Sequence, residues 1–306
     1  MSQDKKELFD TLEKKISSYK GYPLPGINSK ASKYCLIMQM VDSIRRIEYV
    51  KVISSKSLDE TCIIPNLNGF NPLKAAIWHN RNGNLDDAFW LVFLAIHFGK
   101  HSVDGWNHVR NVYGKFGEVE FWSWINIIQN IDDFKLWLNI NNARLKENGT
   151  FSNHRRYQSL DAYSQYGTGS TIESYINWIG NDGSHRDFLY NIINIVGDEP
   201  RELFKELYKS MNSVIGFSRL GKFDFLTMIG KLELIEIEPN STYIAGATGP
   251  KTGAEMLFGI KETPRILDSM LADLEVHLGL YFGMQVLEDS ICNWQKSPES
   301  YEYFRG

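Results

Sequence analysis

Apolar residues recur at helical spacing along almost the whole chain. Leu8, Leu12, Ile16 and Tyr19 share one side of residues 4–20, and Pro23, Pro25 and Gly26 end that helix. A second helix is predicted over 31–46, and EYVKVI within 47–65 reads equally as a short strand. From Asn71 a long tract carries Leu73, Ala76, Ile77, Leu85, Phe89, Val92, Phe93 and Ile96, split in two at Asn82-Gly83. Further helices are predicted over 104–113, 118–130, 132–138, 157–166, 171–179, 185–196, 200–215 and 223–234, with a loop at 146–152. After Glu238-Pro239-Asn240 a helix runs through Glu255–Phe258, and two more cover about 269–280 and 281–294. The pattern predicts an all-α protein with marginal strand content and no repeat.

The 306 residues suffice for two closely packed helical lobes, expected at 1–200 and 201–306. The 17 Phe, 15 Tyr and 8 Trp are mostly core material. A net charge of −4 argues against a non-specific DNA coat, though binding needs only a local basic face. Cys35, Cys62 and Cys292 are too few and too scattered for a disulfide framework, a zinc site or an iron–sulfur loop. The charged start has no apolar signal core, and Ala88–Phe98 is too short to span a bilayer. A cytoplasmic protein is expected, with no membrane partner, no obligate protein partner and no cofactor.

The chemistry concentrates between Ser241 and Ala254. A helix, a tight glycine turn and a second helix would present backbone N–H groups to a phosphate. Gly246, Thr248, Gly249, Lys251 and Thr252 are the expected DNA contacts, gripping the backbone without reading sequence. The stretch Gly246–Ala254 resembles the helix-hairpin-helix motif. It departs from it in lacking a Leu-Pro opening and in carrying Ala247-Thr248. A P-loop is excluded, because Pro250 stands where glycine must precede the lysine.

The resemblance to helix-hairpin-helix DNA glycosylases implies a catalytic aspartate after the hairpin lysine and a proline. Here Lys251 is followed by Pro264 and Asp268, one residue short of the family spacing. A fixed carboxylate stabilises the cationic sugar formed as an N-glycosidic bond breaks, and it can orient a water. Asp268 also reads as a helix N-cap. For Lys251 the resemblance implies either attack on the sugar carbon or phosphate contact. Phe223–Leu232, Glu238-Pro239 and Gly246–Pro250 are similar to the alpha-glutamyl/putrescinyl thymine pyrophosphorylase family, clade 3. That resemblance implies a relative of DNA glycosylases, some of which are antiphage enzymes acting on modified pyrimidines.

A base-excising enzyme needs a pocket for the flipped nucleotide. The candidates are Asn153, His154, Tyr157, Tyr163, Gln165 and Tyr166, with Arg155 and Arg156 as phosphate contacts. A solvated basic loop is the plainer reading of the same residues, as is a surface helix for Arg45, Arg46, Lys51 and Lys56. No metal site is expected, and His97, His101 and His108 read as ordinary packing. Three functions stay open. One is a glycosylase releasing a bulky modified pyrimidine, such as glucosylated hydroxymethylcytosine, from phage DNA. The second is a transferase joining an amino acid or polyamine to an activated hydroxymethyluracil. The third is a DNA-binding protein without catalysis.

Overall fold

The computed structural model describes residues 2–66, 69–180 and 182–304. Among these residues the chain is all-α. It has fifteen α-helices and no β-strand, with isolated bridges at His101–Gly105 and Ser159–Gly167. Two compact units emerge. Met1–Lys51 joins Glu238–Gly306 in one, and Val52–Ile237 forms the other. Neither break coincides with the division expected at residue 200.

In the first unit, α1 (Gln3–Ser18) and α2 (Lys30–Ser55, which enters the second unit in its last turn) precede the long excursion. Helix α2 runs through EYVKVI, so the strand alternative is overturned. The chain returns as α13 (Thr248–Phe258), α14 (Pro264–Leu278) and α15 (Gly283–Trp294). Leu12 and Ile16 of α1 join Ile37 and Val41 of α2 in one buried cluster. Leu257, Leu267, Leu271, Val286, Ile291 and Trp294 from the C-terminal helices complete it. The unit closes because α1 buries one apolar stripe, and α2 its continuously buried stretch Cys35–Ser43, in a cluster with the C-terminal helices. Helix α14 starts at Pro264 with Thr263 as N-cap, its hydroxyl accepting from Ile266 N–H at 3.4 Å. It stops at Gly279, whose φ of +54° ends a helix readily in glycine.

The second unit is built around α4 (Leu85–Phe98). Its stretch from Asp87 to Ala95 is buried all round, as befits a helix apolar on every face. Helix α3 (Pro72–Arg81) leads into it, capped by Asn71, which accepts from Leu73 and Lys74 N–H. Short helices follow: α5 (Asn107–Tyr113), α6 (Trp124–Gln129), α7 (Ile131–Ile140) and α8 (Asn142–Glu147). Helix α8 takes the first part of the segment expected as a loop. Then come α9 (Thr168–Ile179), α10 (His185–Val196), α11 (Pro200–Ser210) and α12 (Arg219–Lys231). Phe93 lies stacked between Tyr175 at 3.8 Å and Phe217 at 4.7 Å between ring centres. The polar end of Trp90 is paired, its Nε1 donating to Trp122 O at 2.7 Å.

The helix expected over 157–166 does not form. Asp161 ties that segment into a turn instead, accepting from Tyr163 and Ser164 N–H at 2.8 and 2.6 Å. These bonds, the one from Ser164 foremost, hold the Asp161 carboxyl below the usual carboxylate range. The loop then folds back so closely that any side chain at Gly167 or Gly169 would strike the Asp161 or Ala162 carbonyl.

Candidate functional site

The segment that leads to α13 is not a helix. Residues 232–247 are turns and extended chain, and α12, the helix before them, belongs to the other unit. The first helix expected over 223–234 forms as α12 (Arg219–Lys231), but residues 232–247 separate it from α13, so no tight turn joins two successive helices. What remains is a turn closed by Ala247 N–H donating to Ile244 O at 2.9 Å, with Gly246 at φ +77°. Ala247 provides no side-chain cap for α13. Thr248 and Gly249 stand at its first turn, where any helix leaves N–H groups without intrahelical partners. Pro250 has none to offer.

The glycines here do different work from that expected. Gly246 shapes the turn, whereas Gly249 and Gly253 lie one helical turn apart facing α15. A Cβ at Gly249 would sit 3.0 Å from Cys292 Sγ, and one at Gly253 would run into the Ile291 carbonyl. Lys251 is 41% exposed and pairs with Glu255 at 3.5 Å. Thr248 is exposed and Thr252 half-buried.

Asp268 lies in the second turn of α14, so it is neither the N-cap nor the start of the helix. It is half-buried. Its Oδ1 accepts from Thr242 N–H at 2.9 Å and also from the Thr242 hydroxyl. Its Oδ2 accepts from the Ser241 hydroxyl at 2.6 Å. The carboxylate thus fastens the lead-in segment five residues before Gly246, and Thr242 is fully buried beneath it. Sequence reasoning missed Ser241 and Thr242 as its partners. No spacing rule connects a hydroxyl pair to a carboxylate in a helix so far along the chain.

The predicted base-pocket residues lie in the second unit and form an exposed surface. Asn153, His154 and Gln165 face solvent, and Tyr157, Tyr163 and Tyr166 are 85%, 61% and 67% exposed. Arg156 joins them, its guanidinium donating to the Tyr157 hydroxyl at 2.9 Å. Arg155 does not. It is buried, donating through Nε to Ile96 O at 2.8 Å and through a terminal nitrogen to Asp224 at 2.7 Å. Its expected phosphate contact is overturned, because its donors are committed inside the unit. The start of α9 is no anion seat either. Its Thr168 and Gly169 N–H groups donate to the Ser159 and Asp161 carbonyls.

The histidines belong to the packing. His97 stacks near-parallel on Phe93 and Phe217 and contacts the Thr168 hydroxyl at 2.9 Å. His108 packs on Phe98 and Phe151, and His101 pairs with Asp104 at 3.2 Å. Among the described residues no group of three or more His, Cys, Asp or Glu side chains is arranged to hold a metal ion. No helix among them is long and apolar enough to cross a membrane.

No curated protein and no solved structure matches the chain. Residues 31–306 match a known family over nearly the whole chain, including α2, the entire second unit and the Asp268 segment. The protein belongs to the alpha-glutamyl/putrescinyl thymine pyrophosphorylase family, clade 3, whose name denotes enzymes acting on modified thymine.

Proposed function

We propose that this chain is a DNA glycosylase that excises a bulky modified pyrimidine, such as glucosylated hydroxymethylcytosine, from phage DNA in antiviral defence. The observation that carries the reading is the fixed carboxylate of Asp268. A carboxylate has about four acceptor positions. Two on Oδ1 and one on Oδ2 are taken by Thr242 and Ser241, which leaves Oδ2 one lone pair in a set direction. A water donating to that lone pair is oriented toward a sugar carbon as the base departs. The negative charge also steadies the cationic sugar. The mouth of α13, in the same unit, holds the neighbouring phosphate with Thr248, Gly249, Lys251 and Thr252. Lys251 serves as a phosphate contact, since its exposed pair with Glu255 is weak enough to exchange. In the second unit, taken by itself, Tyr157, Tyr163, Tyr166 and Arg156 expose flat surfaces on which bases of a single strand stack.

The family name favours a second reading, a transferase that leaves the glycosidic bond intact and makes the base heavier. Incubation with DNA carrying modified pyrimidines, followed by mass spectrometry of free and DNA-bound bases, separates the two. Free modified base and abasic sites are expected, in modified DNA only. D268N is expected to abolish release while DNA binding persists. Because Asp268 also anchors the lead-in, S241A serves as the companion, loosening that anchor but keeping the carboxylate. Release that continues in D268N removes Asp268 from the chemistry.

A further inference from the structure

A cavity of about 300 Å³ in the second unit is lined by neither the arginine nor the tyrosines of the exposed loop. Lys100 and Arg110 both line it, together with Phe70, Asn71, Trp106 and Asn107. No carboxylate is among its lining residues. Neither cation has an ion-pair or hydrogen-bond partner among the described residues. This sets them apart from Arg46, Lys135 and Arg155, which are matched to Asp289, Glu173 and Asp224. In a chain of net charge −4, two uncompensated cations sharing one small concavity make a local field for an anion. The guanidinium fork suits the oxygens of a phosphate, the ammonium supplies a second charge, and the Asn107 amide adds a neutral donor.

The walls are as specific as the charges. Asn71 has its side-chain oxygen occupied by Leu73 and Lys74 N–H, so it is held in place as a rim. Phe70 is buried and stacked parallel to Tyr113, 6.1 Å between ring centres. Lys100 follows Gly99, whose Cα is packed so tightly on Ser152 that a side chain there would strike the serine hydroxyl. Phe98 O in the same turn accepts from Ser152 N–H at 3.0 Å. The turn that presents Lys100 therefore also carries the base of the loop that exposes Arg156 and Tyr157.

We propose that Lys100 and Arg110 form a phosphate seat in this cavity, filled by a phosphodiester of a bound nucleic-acid strand or by free phosphate. The seat does not depend on which chemistry the enzyme performs. The test therefore uses unmodified DNA and reads binding alone. Anisotropy of a labelled single-stranded oligonucleotide with the full chain is compared for the native protein, K100Q/R110Q and K209Q, an exposed lysine of the same unit. Calorimetry with inorganic phosphate is run on the same three proteins. Neither replaced side chain holds another element in place through a hydrogen bond or ion pair, so the double variant is expected to fold, and a matched circular dichroism melt checks this.

If the seat holds a strand, the double variant binds the oligonucleotide at least about tenfold more weakly. Its salt dependence flattens by about 0.7 in log–log slope for each phosphate that is no longer neutralised. If the seat holds free phosphate, heat of phosphate binding is seen in the native protein and K209Q and vanishes in K100Q/R110Q. Oligonucleotide affinity and phosphate heat both indifferent to the double variant would overturn the proposal. Binding that behaves as expected in a protein that releases no base counts against the Asp268 reading alone.

Discussion

Arg155 and Arg156 are neighbours of one residue type, and the structure gives them opposite fates. Arg155 is buried with donors on Ile96 O and Asp224, whereas Arg156 lies in solvent against Tyr157. Removing one partner of a buried charged pair leaves the other uncompensated, at a cost of about 3–5 kcal/mol in dry sites. Asp224 is about one-third exposed, so R155A is expected to lose about 2–3 kcal/mol in urea denaturation. R156A should stay within about 0.5 kcal/mol of the native protein, yet bind single-stranded DNA more weakly. Equal destabilisation of the two variants would contradict this assignment. The sequence displays both arginines as equivalent, because what separates them is a carbonyl 59 residues before Arg155 and a carboxylate 69 residues after it. Asp268 shows the same limit. Its importance is readable from its distance to Lys251 and Pro264, but its three hydrogen bonds are not.

Among the elements, α13 is where glycine patterns mislead most readily. Gly246, Gly249 and Gly253 look alike in the sequence, and only the first is a turn glycine. G253A must push α13 off the Ile291 carbonyl of α15. Overpacking of this kind costs about 1–3 kcal/mol. A Cβ at Gly246 meets open space, so G246A brings only the strain of its positive φ, about 1 kcal/mol. Thermal melts of the two variants rank them, and a larger loss in G246A than in G253A would refute the packing role. Strongly periodic helices are legible: His185–Val196 and the starts of α3 and α11 fall where apolar spacing, Asn caps and prolines put them. The 157–166 loop is not, because its aromatics fall at helical spacing by accident. Its course is set by the Asp161 turn and the close approach at Gly167 and Gly169. The helix-hairpin-helix likeness has a similar origin. Gly-Pro-Lys-Thr-Gly marks the second helix correctly, while residues 232–247 carry no helix to pair with it.

At the scale of the whole molecule, the chain's two ends build one unit and its middle builds the other, a division that local pattern cannot reveal. Leu12 and Leu271 are each simple apolar positions until the fold places them in one cluster. The middle unit stores a second property that no local pattern displays, a set of histidines kept neutral by burial. Burial, with a smaller contribution from the Arg155 charge, pushes His97 down to about 3. Burial likewise takes His108 down to about 4. His185 is also lowered by burial, against the pull of Asp86. In the unfolded chain a histidine titrates near 6.5. Between about 6.5 and 4 the unfolded chain therefore binds protons at His97 and His108 that the folded chain refuses. Stability must fall as pH falls through that window, by about 1.4 kcal/mol per pH unit for each histidine, and stay level above it. Most carboxylates titrate lower, so the upper half of the window belongs to the histidines. Urea midpoints should be flat between about pH 7.5 and 8.5, below the titration of the thiols, and decline steadily from about 6.5 to 4.5. H97Q cannot take up the proton, so its decline should be shallower by about one proton's worth. A native midpoint that stays level down to about pH 4.5 would mean that the stacked ring of His97 accepts its proton inside the fold, with the Phe93–Phe217 stack around it looser than the structure has it.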